Sequence, residues 1–351
     1  MFNQGKDLCD MDNNTPRIVI ETIVRKTLRD IKDSPERSIR NLVDMALHFS
    51  NGRFHRSFLQ MAQTMLKNEI SPYYGLIEDT VCNVDSERLL QFGVNVGYNS
   101  CTAGANIIRE LEAREHYNIP WAISLCIDSD FFSEHHKEYS RLISQGEEIG
   151  IYTWMIFSAK DSADILPLVQ EHPDSAFILF CNPEDITLSY TDTACECGNL
   201  MTVVRYGDDA AEACELLRDT KLLYSVYSSY TESDVSAITS GELFYSTQQL
   251  HPVFTILLAD SGCPETARQT VYEAVELARS RQLYKTIVME TVCDSCFIDS
   301  IISSEACMAG FDSQGYLYTL QGVKRKENLN FLNNNLSDIL KMVFPKSEQD
   351  S

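Results

Sequence analysis

Between residues 89 and 291, short apolar runs alternate with segments of helical periodicity, and this alternation constrains the fold more than any other feature. The first unit has a Val- and Phe-rich run that ends at Gly97, a helical segment around Ile107, and a second apolar run after Pro120. A strand, a helix and a strand in this order favour a parallel sheet with right-handed crossovers. The recurring pattern predicts strands at 90–97, 121–127, 149–157, 176–181, 200–206, 222–229, 253–259 and 285–290.

Eight strand–helix repeats predict an α/β fold, a (β/α)8 TIM-type barrel, with an open doubly wound sheet as the alternative. The chain then divides into a helical N-terminal region at 1–87, the barrel at 88–291, and a small C-terminal extension with a polar tail at 292–351. In the extension, Ser313-Gln314-Gly315 predicts a hairpin turn in which Gly315 takes a positive φ.

Four helices are predicted in the N-terminal region, because apolar residues recur there at helical spacing. They lie at 18–31, 35–47, 54–66 and 71–77. Pro35 falls in the first turn of the second helix, where a missing N–H is tolerated. We expect these helices to dock beside the barrel.

The charge of the chain excludes some classes of partner. It has 29 Lys and Arg residues against 51 Asp and Glu, a formal net charge of −22. Such a field repels nucleic acid and anionic membranes, so neither is an expected partner. No apolar run approaches the roughly 20 residues of a membrane span, and the amino terminus lacks a signal-peptide pattern. We therefore expect a cytoplasmic, acidic protein whose 12 Cys residues are free thiols, metal ligands or redox groups.

Two stretches near the carboxyl terminus resemble a known family. They are ACMAGFDSQGYLY at 306–318 and NLSDIL at 335–340, and together they resemble the C-terminal extension of radical SAM enzymes of the SPASM type. The segment 199–219 also looks like the fifth strand and helix of that family. The resemblance implies a barrel enzyme that cleaves S-adenosylmethionine at a [4Fe–4S] cluster to make a radical, often acting on peptides.

The chain departs from this family at the cluster. The family has Cys-x-x-x-Cys-x-x-Cys just after the first strand, because three thiolates hold three irons and leave the fourth for the cofactor. At that place the segment 97–104 contains only Cys101, and no Cys triplet of that spacing occurs in the chain. The family's Gly-Gly-Glu after the second strand is replaced by Asp128-Ser129-Asp130. We therefore assign no catalytic residue and expect no [4Fe–4S] site for S-adenosylmethionine.

From these observations we expect a radical-SAM-like barrel protein that has lost the catalytic cluster and binds a small-molecule or peptide-like ligand. A role as protein partner of a peptide-modifying enzyme fits the same observations. One alternative is an active radical SAM-type enzyme. Another is a metal-dependent hydrolase that uses Asp128 and Asp130, since 117–154 faintly resembles polysaccharide deacetylases. That family binds its metal through His-x-x-x-His, whereas His135 and His136 are adjacent and point in different directions.

In a barrel, ligands bind at the carboxyl ends of the strands. Polar and aromatic residues near the predicted strand ends form the candidate ligand set: Asn99, Cys101, Asp128, Asp130, Tyr152, Trp154, Arg205 and Tyr227. The alternative interpretation of each is a helix cap or a turn residue.

Three cysteines of the C-terminal extension form a candidate metal site. Cys293 and Cys296 make a Cys-x-x-Cys pair, and Cys307 follows. Thiolates at close spacing suit zinc or an auxiliary iron–sulfur cluster. The alternative is a pair of free thiols one helical turn apart, with Cys307 unrelated to them.

Overall fold

The structure is a computed structural model that describes residues 7–49, 59–60, 62–303 and 305–346. The part of the third predicted helix that contains Phe54, Phe58 and Met61 lies outside the described residues, while 59–60 and 62–65 are helical. Within the described ranges, no helix has both the length and the apolar character that crossing a membrane requires.

The N-terminal region is helical, as predicted, and two of its helices begin at capping side chains. Ser71 Oγ accepts a hydrogen bond from the N–H of Tyr73, and the Asp85 carboxylate accepts from the N–H groups of Glu87 and Arg88. Such caps satisfy backbone donors that the first helical turn leaves free. The helices before the first strand are α1 (Asp7–Ile31), α2 (Pro35–Phe49), α3 (Pro72–Asn83), α4 (Ser86–Val94) and α5 (Ala105–Glu115).

The strand predicted at 90–97 is wrong. Helix α4 covers its first part, and a π-helix at Asn95–Gly104 joins α4 to α5. The reason is that this apolar run is buried on two sides. Phe92 packs under the sheet, whereas Leu90 packs among the N-terminal helices. A short apolar run that is buried on both sides has no amphipathic period, so a strand and a helix look alike in the sequence.

The sheet has ten strands, and the seven later strand predictions are confirmed to within a few residues. The strands are β1 (Ala122–Ile127), β2 (Thr153–Ser158), β3 (Ala176–Cys181), β4 (Leu200–Arg205), β5 (Tyr224–Tyr230), β6 (Phe254–Ala259), β7 (Ile287–Glu290), β8 (Ala309–Phe311), β9 (Leu317–Thr319) and β10 (Gly322–Val323). Strands β1 to β7 are parallel to their neighbours, and β8 pairs in parallel with the free side of β1.

The α/β fold with a parallel sheet is confirmed, but closure into an eight-stranded barrel is not. The strand order is β10-β9-β8-β1-β2-β3-β4-β5-β6-β7, so β10 and β7 form the two edges of an open sheet. With no strand at 90–97, the place beside β1 is taken by β8, which belongs to the C-terminal extension. The extension is thus part of the main sheet.

Helices that follow the strands cover the outer face of the sheet. They are α6 (Ser129–Glu148), α7 (Leu166–Glu171), α8 (Leu188–Ala194), α9 (Ala210–Asp219), α10 (Val235–Thr239), α11 (Glu242–Thr247), α12 (Glu265–Arg281), α13 (Thr291–Ile302) and α14 (Leu336–Val343). Thr231 and Asp234 form a capping box just before α10. Asp209 precedes α9, and its side chain makes no capping hydrogen bond.

The inner face of the sheet is apolar, and its amino end is closed by helix α4. Side chains that alternate along the strands, such as Met155, Phe180 and Val203, pack there with Phe92 of α4. The carboxyl end of the same face remains partly exposed, since Phe157 and Tyr227 are only half-buried. The carboxyl end is therefore the part of the inner face that solvent reaches.

The hairpin predicted in the C-terminal extension is confirmed. Strands β8 and β9 are antiparallel, and the Asp312 carboxylate accepts hydrogen bonds from the N–H groups of Gln314 and Tyr316. Gly315 has φ +82°, a left-handed conformation that glycine adopts without strain.

Candidate functional site

The structure divides the eight predicted ligand residues between the two ends of the sheet. The carboxyl-end group comprises Asp128, Asp130, Arg205 and Tyr227. The amino-end group comprises Asn99, Cys101, Tyr152 and Trp154. One ligand-sized site cannot include both groups, because strands of six residues at about 3.3 Å per residue separate the two ends by about 20 Å.

The amino-end group makes structural contacts. Asn99 Nδ2 donates to Asn95 Oδ1 at 3.1 Å and to the Asp174 carbonyl at 2.8 Å, which ties the π-helix to the turn before β3. Trp154 is fully buried, with its ring against Gly146. Burial raises the pKa of the Cys101 thiol to about 12. The sequence placed the amino-end group at the carboxyl ends of strands. That placement is wrong, because 90–97 is helical and β2 begins only at Thr153.

Tyr152 lies just before β2 and is half-buried. Burial, together with the charge of Glu147, raises the pKa of its hydroxyl. Its ring packs beside Gly104, at the end of the π-helix, so Tyr152 also belongs to the packing of the amino end.

Asp128 and Asp130 start helix α6. The Asp128 carboxylate accepts from the Phe131 N–H at 3.1 Å and is the N-cap, while Asp130 is exposed in the first turn. Negative charge is favourable at that end of a helix, so both acids have a structural role.

The histidines of the hydrolase alternative do not join these acids. His135 Nδ1 lies 3.0 Å from the Phe131 carbonyl oxygen, and His136 Nε2 lies 3.8 Å from Glu171 Oε1. Among the residues that the structure describes, no group of three His, Cys, Asp or Glu side chains could hold a metal ion. The geometry therefore offers the hydrolase alternative no metal site in that part of the chain.

Arg205 and Tyr227 are brought together by strand pairing. They are Cα partners across β4 and β5, and both side chains follow the inner-face alternation of their strands. The Tyr227 ring meets the Phe180 ring edge-on at 5.4 Å between centroids, and Phe180 stacks on Phe157 at 4.3 Å. We call these four residues, Phe157, Phe180, Arg205 and Tyr227, the aromatic mouth.

The electrostatics of the aromatic mouth keep the Tyr227 hydroxyl protonated. Burial raises the pKa of Tyr227 to about 12, and the nearby Arg205 charge opposes this rise only in part. Tyr227 is therefore a neutral hydroxyl at physiological pH. Arg205 is exposed at the end of β4, and its side chain makes no hydrogen bond or ion pair with any described residue.

Sequence reasoning missed the residues of β1 to β3 that complete the inner face. Phe157 and Phe180 line its floor, and Cys126 is the half-buried thiol nearest the end of β1. Burial raises the pKa of Cys126, while a hydrogen bond with Tyr318 opposes the rise. The sequence pattern that could have identified these residues is the two-residue alternation within each apolar run. It assigns residues to the inner face only once the strand register is known.

The three C-terminal cysteines lie on helix α13 and just beyond its end. Cys293 and Cys296 lie on helix α13, and burial raises the pKa of both thiols, that of Cys293 to about 12. Cys307 is buried beyond the helix, where its thiol contacts Ser303 Oγ at 3.9 Å. These three residues belong to no group of possible metal ligands among the described residues. Helix α13 holds the Cys-x-x-Cys pair one turn apart, so the free-thiol interpretation fits better.

The residues at the end of β1 do not fit a [4Fe–4S] cluster. The turn that follows the strand is Asp128-Ser129-Asp130, and it contains no thiol. Such a cluster requires three thiolates close together, whereas Cys126 lies alone within β1. Among the described residues at the end of β1, no three thiols are brought together for such a cluster.

Comparison with solved structures identifies the fold. Streptococcus suis SuiB superimposes with a TM-score of 0.51 at 11% identity, over 87% of this chain and 82% of that one. SuiB bound to S-adenosylmethionine gives 0.49 at 10% identity, over 67% of this chain and 66% of that one. A complex of anSMEcpe with AdoMet and the Cp18Cys peptide gives 0.42 at 9% identity, over 65% and 85% of the two chains.

The superposition on SuiB shows that the present chain has a radical SAM-like fold. At such low identity the likeness concerns the fold alone. No family model matches the chain, and no curated protein matches it.

Proposed function

We propose that this protein is a radical-SAM-like binding protein that has lost the catalytic [4Fe–4S] cluster and binds a small-molecule or peptide ligand at the aromatic mouth. The observation that carries the proposal is the thiol-free turn after β1, at the carboxyl end of the sheet next to the mouth. A role as partner of a peptide-modifying enzyme is compatible with this binding role and belongs to the same proposal.

The ligand-binding half of the proposal is supported by an exposed cation beside a half-buried aromatic surface. Apolar pockets with a few well-placed polar groups are the usual form of small-ligand sites. Arg205 provides the polar group and Phe157 and Tyr227 the apolar contact, all at the carboxyl ends of neighbouring strands. Ligands of α/β proteins bind at that end of the sheet.

Anaerobic reconstitution with iron and sulfide tests the cluster half. We expect iron well below the four atoms per chain of a [4Fe–4S] cluster, and no cleavage of S-adenosylmethionine under reducing conditions. Near-stoichiometric cluster together with cofactor cleavage would overturn the proposal in favour of an active enzyme.

A variant with Cys293→Ser and Cys296→Ser is the matched control, because these two thiols lie one turn apart on α13 and could hold adventitious iron. Iron that binds the wild type but not this variant is held by α13 rather than by the end of β1. A Cys126→Ser variant tests the half-buried thiol of β1 in the same way.

A further inference from the structure

Arg205 differs from the arginines that form ion pairs in this fold, such as Arg218 and Arg279. Arg218 forms a two-point ion pair with Asp79 at 2.8 and 2.9 Å, and Arg279 pairs with Asp294 at 2.7 Å. Arg205 has no such partner among the described residues, although the chain has 51 acidic side chains. An unpaired guanidinium at the open end of an apolar face is available for an anion from outside.

The surface beside Arg205 is aromatic. Phe180 is 2% exposed and forms a floor, while Phe157 and Tyr227 stand half-buried on either side of it. Their rings contact Phe180 at centroid distances of 4.3 and 5.4 Å, which fixes their positions. A ligand that reaches Arg205 therefore places its next atoms on aromatic carbon.

Negative charge on the turn after β3 limits what else the ligand can carry. Glu184 and Asp185 lie in the turn that directly follows β3, and their charges raise the pKa of Tyr227, after burial and Cys181. Asp185 already accepts hydrogen bonds from the Asp161 N–H at 3.2 Å and from Ser162 Oγ at 2.8 Å. These acids repel a second anionic group on the ligand.

We infer that the aromatic mouth takes a monocarboxylate whose apolar or aromatic part lies on Phe157 and Tyr227. The planar guanidinium of Arg205 matches a carboxylate through two parallel N–H···O hydrogen bonds. This inference rests on the proposed function, because it specifies the ligand class of the same site. It does not depend on whether the chain holds a cluster.

Paired probes test the inference. The first probe is 3-phenylpropionate, and its matched neutral partner is 3-phenylpropionamide; phenylsuccinate adds a second carboxylate. Binding is measured by ligand-observed NMR on the full chain, for the wild type, for Arg205→Gln, and for Arg325→Gln as the control. Arg325 is exposed in the C-terminal extension, so its loss makes the same change in net charge away from the mouth.

We expect the monocarboxylate to bind the wild type and Arg325→Gln alike, and to weaken about tenfold or more with Arg205→Gln. The amide and the dicarboxylate should bind more weakly than the monocarboxylate to the wild type. Because Arg205 is exposed and unpaired, Arg205→Gln should keep the wild-type melting temperature.

The opposite outcomes are distinguishable. The acid and the amide could bind equally well, with binding unchanged by Arg205→Gln but lost with Tyr227→Ala. This result would overturn the inferred carboxylate class, while the mouth would remain a ligand site. No binding of any probe, up to its solubility limit, would overturn both the inference and the ligand-binding half of the proposed function. Binding that Arg205→Gln and Arg325→Gln weaken equally would reveal general charge attraction and would also overturn the inference.

Discussion

Asp79 of α3 and Arg218 of α9 form a two-point ion pair, with N–O distances of 2.8 and 2.9 Å. The pair joins the N-terminal helices to a helix on the outer face of the sheet. Both side chains are largely shielded, with 17% and 26% of their surfaces exposed. It is therefore a contact through which the N-terminal region is fixed to the rest of the fold.

We expect Arg218→Met to lower the free energy of unfolding by about 1–3 kcal/mol, more than a surface pair and less than a fully buried one. Urea titration at neutral pH measures the loss. Burial alone would raise the pKa of Asp79, but the hydrogen bond and charge of Arg218 outweigh it and lower that pKa. The stabilisation should thus be present above the unfolded pKa and vanish as the pH falls through the lower folded value.

The Asp79–Arg218 prediction has a matched control in Arg205→Gln, which removes an unpaired arginine. A double variant, Asp79→Asn with Arg218→Met, should cost less than the sum of the single variants. Strict additivity would mean that the two residues do not interact in solution.

The buried carboxyl group of Asp299 predicts a pH dependence of the opposite sign. Burial raises its pKa from 3.8 to about 7, although N–H groups of Trp121 and Cys307 donate to it at 2.9 and 3.4 Å. Between these two pKa values the folded state binds more protons than the unfolded state, so this group's contribution to stability falls as the pH rises. Above about pH 7 that loss is complete.

Asp299→Asn should remove this component. From about pH 4 to about pH 7, we expect the wild type to lose on the order of a few kcal/mol of unfolding free energy relative to the variant. Chemical denaturation at several pH values measures it. A constant difference over this range would show that Asp299 is not the titrating group.

The C-terminal cysteines should bind no stoichiometric metal. We expect elemental analysis of the purified protein to give the same zinc content for wild type and Cys307→Ser. The reason is that Cys293, Cys296 and Cys307 form no group of possible metal ligands among the described residues. Zinc ligands require sulfurs about 2.3 Å from a shared metal. One zinc per chain that disappears with Cys307→Ser would restore the metal-site interpretation.

The turn of the C-terminal hairpin should tolerate no side chain at Gly315. Its φ of +82° is unfavourable for alanine, and a Cβ there would meet Asn330 Oδ1 at 2.8 Å and the Phe331 ring. Gly315→Ala should therefore destabilise the protein by about 1–2 kcal/mol or more in thermal or urea unfolding. Gly262→Ala is the control, since a Cβ at Gly262 meets nothing within 4 Å. Equal effects of the two substitutions would contradict the strained-turn argument.

Local patterns in the sequence were sufficient for most of the sheet. The strands β1 to β7 could be predicted because each is a short apolar run bounded by turn or helix signals. The hairpin at Gly315 could be predicted because a positive φ selects glycine. The strand prediction at 90–97 was wrong because Phe92 and Leu90 are both buried, on different sides of α4. Such a run has no amphipathic period that distinguishes a helix from a strand.

The tertiary structure alone decided which residues share a site. Asn99 and Trp154 have the residue types of a binding site, but the fold places them at the amino end of the sheet. Arg205 and Tyr227 are 22 positions apart and become neighbours only through the register of β4 and β5. Register is set by packing over the whole sheet, and a shift of one strand by one residue would turn its side chain to the opposite face. The sequence therefore determined the elements, and long-range pairing determined the mouth.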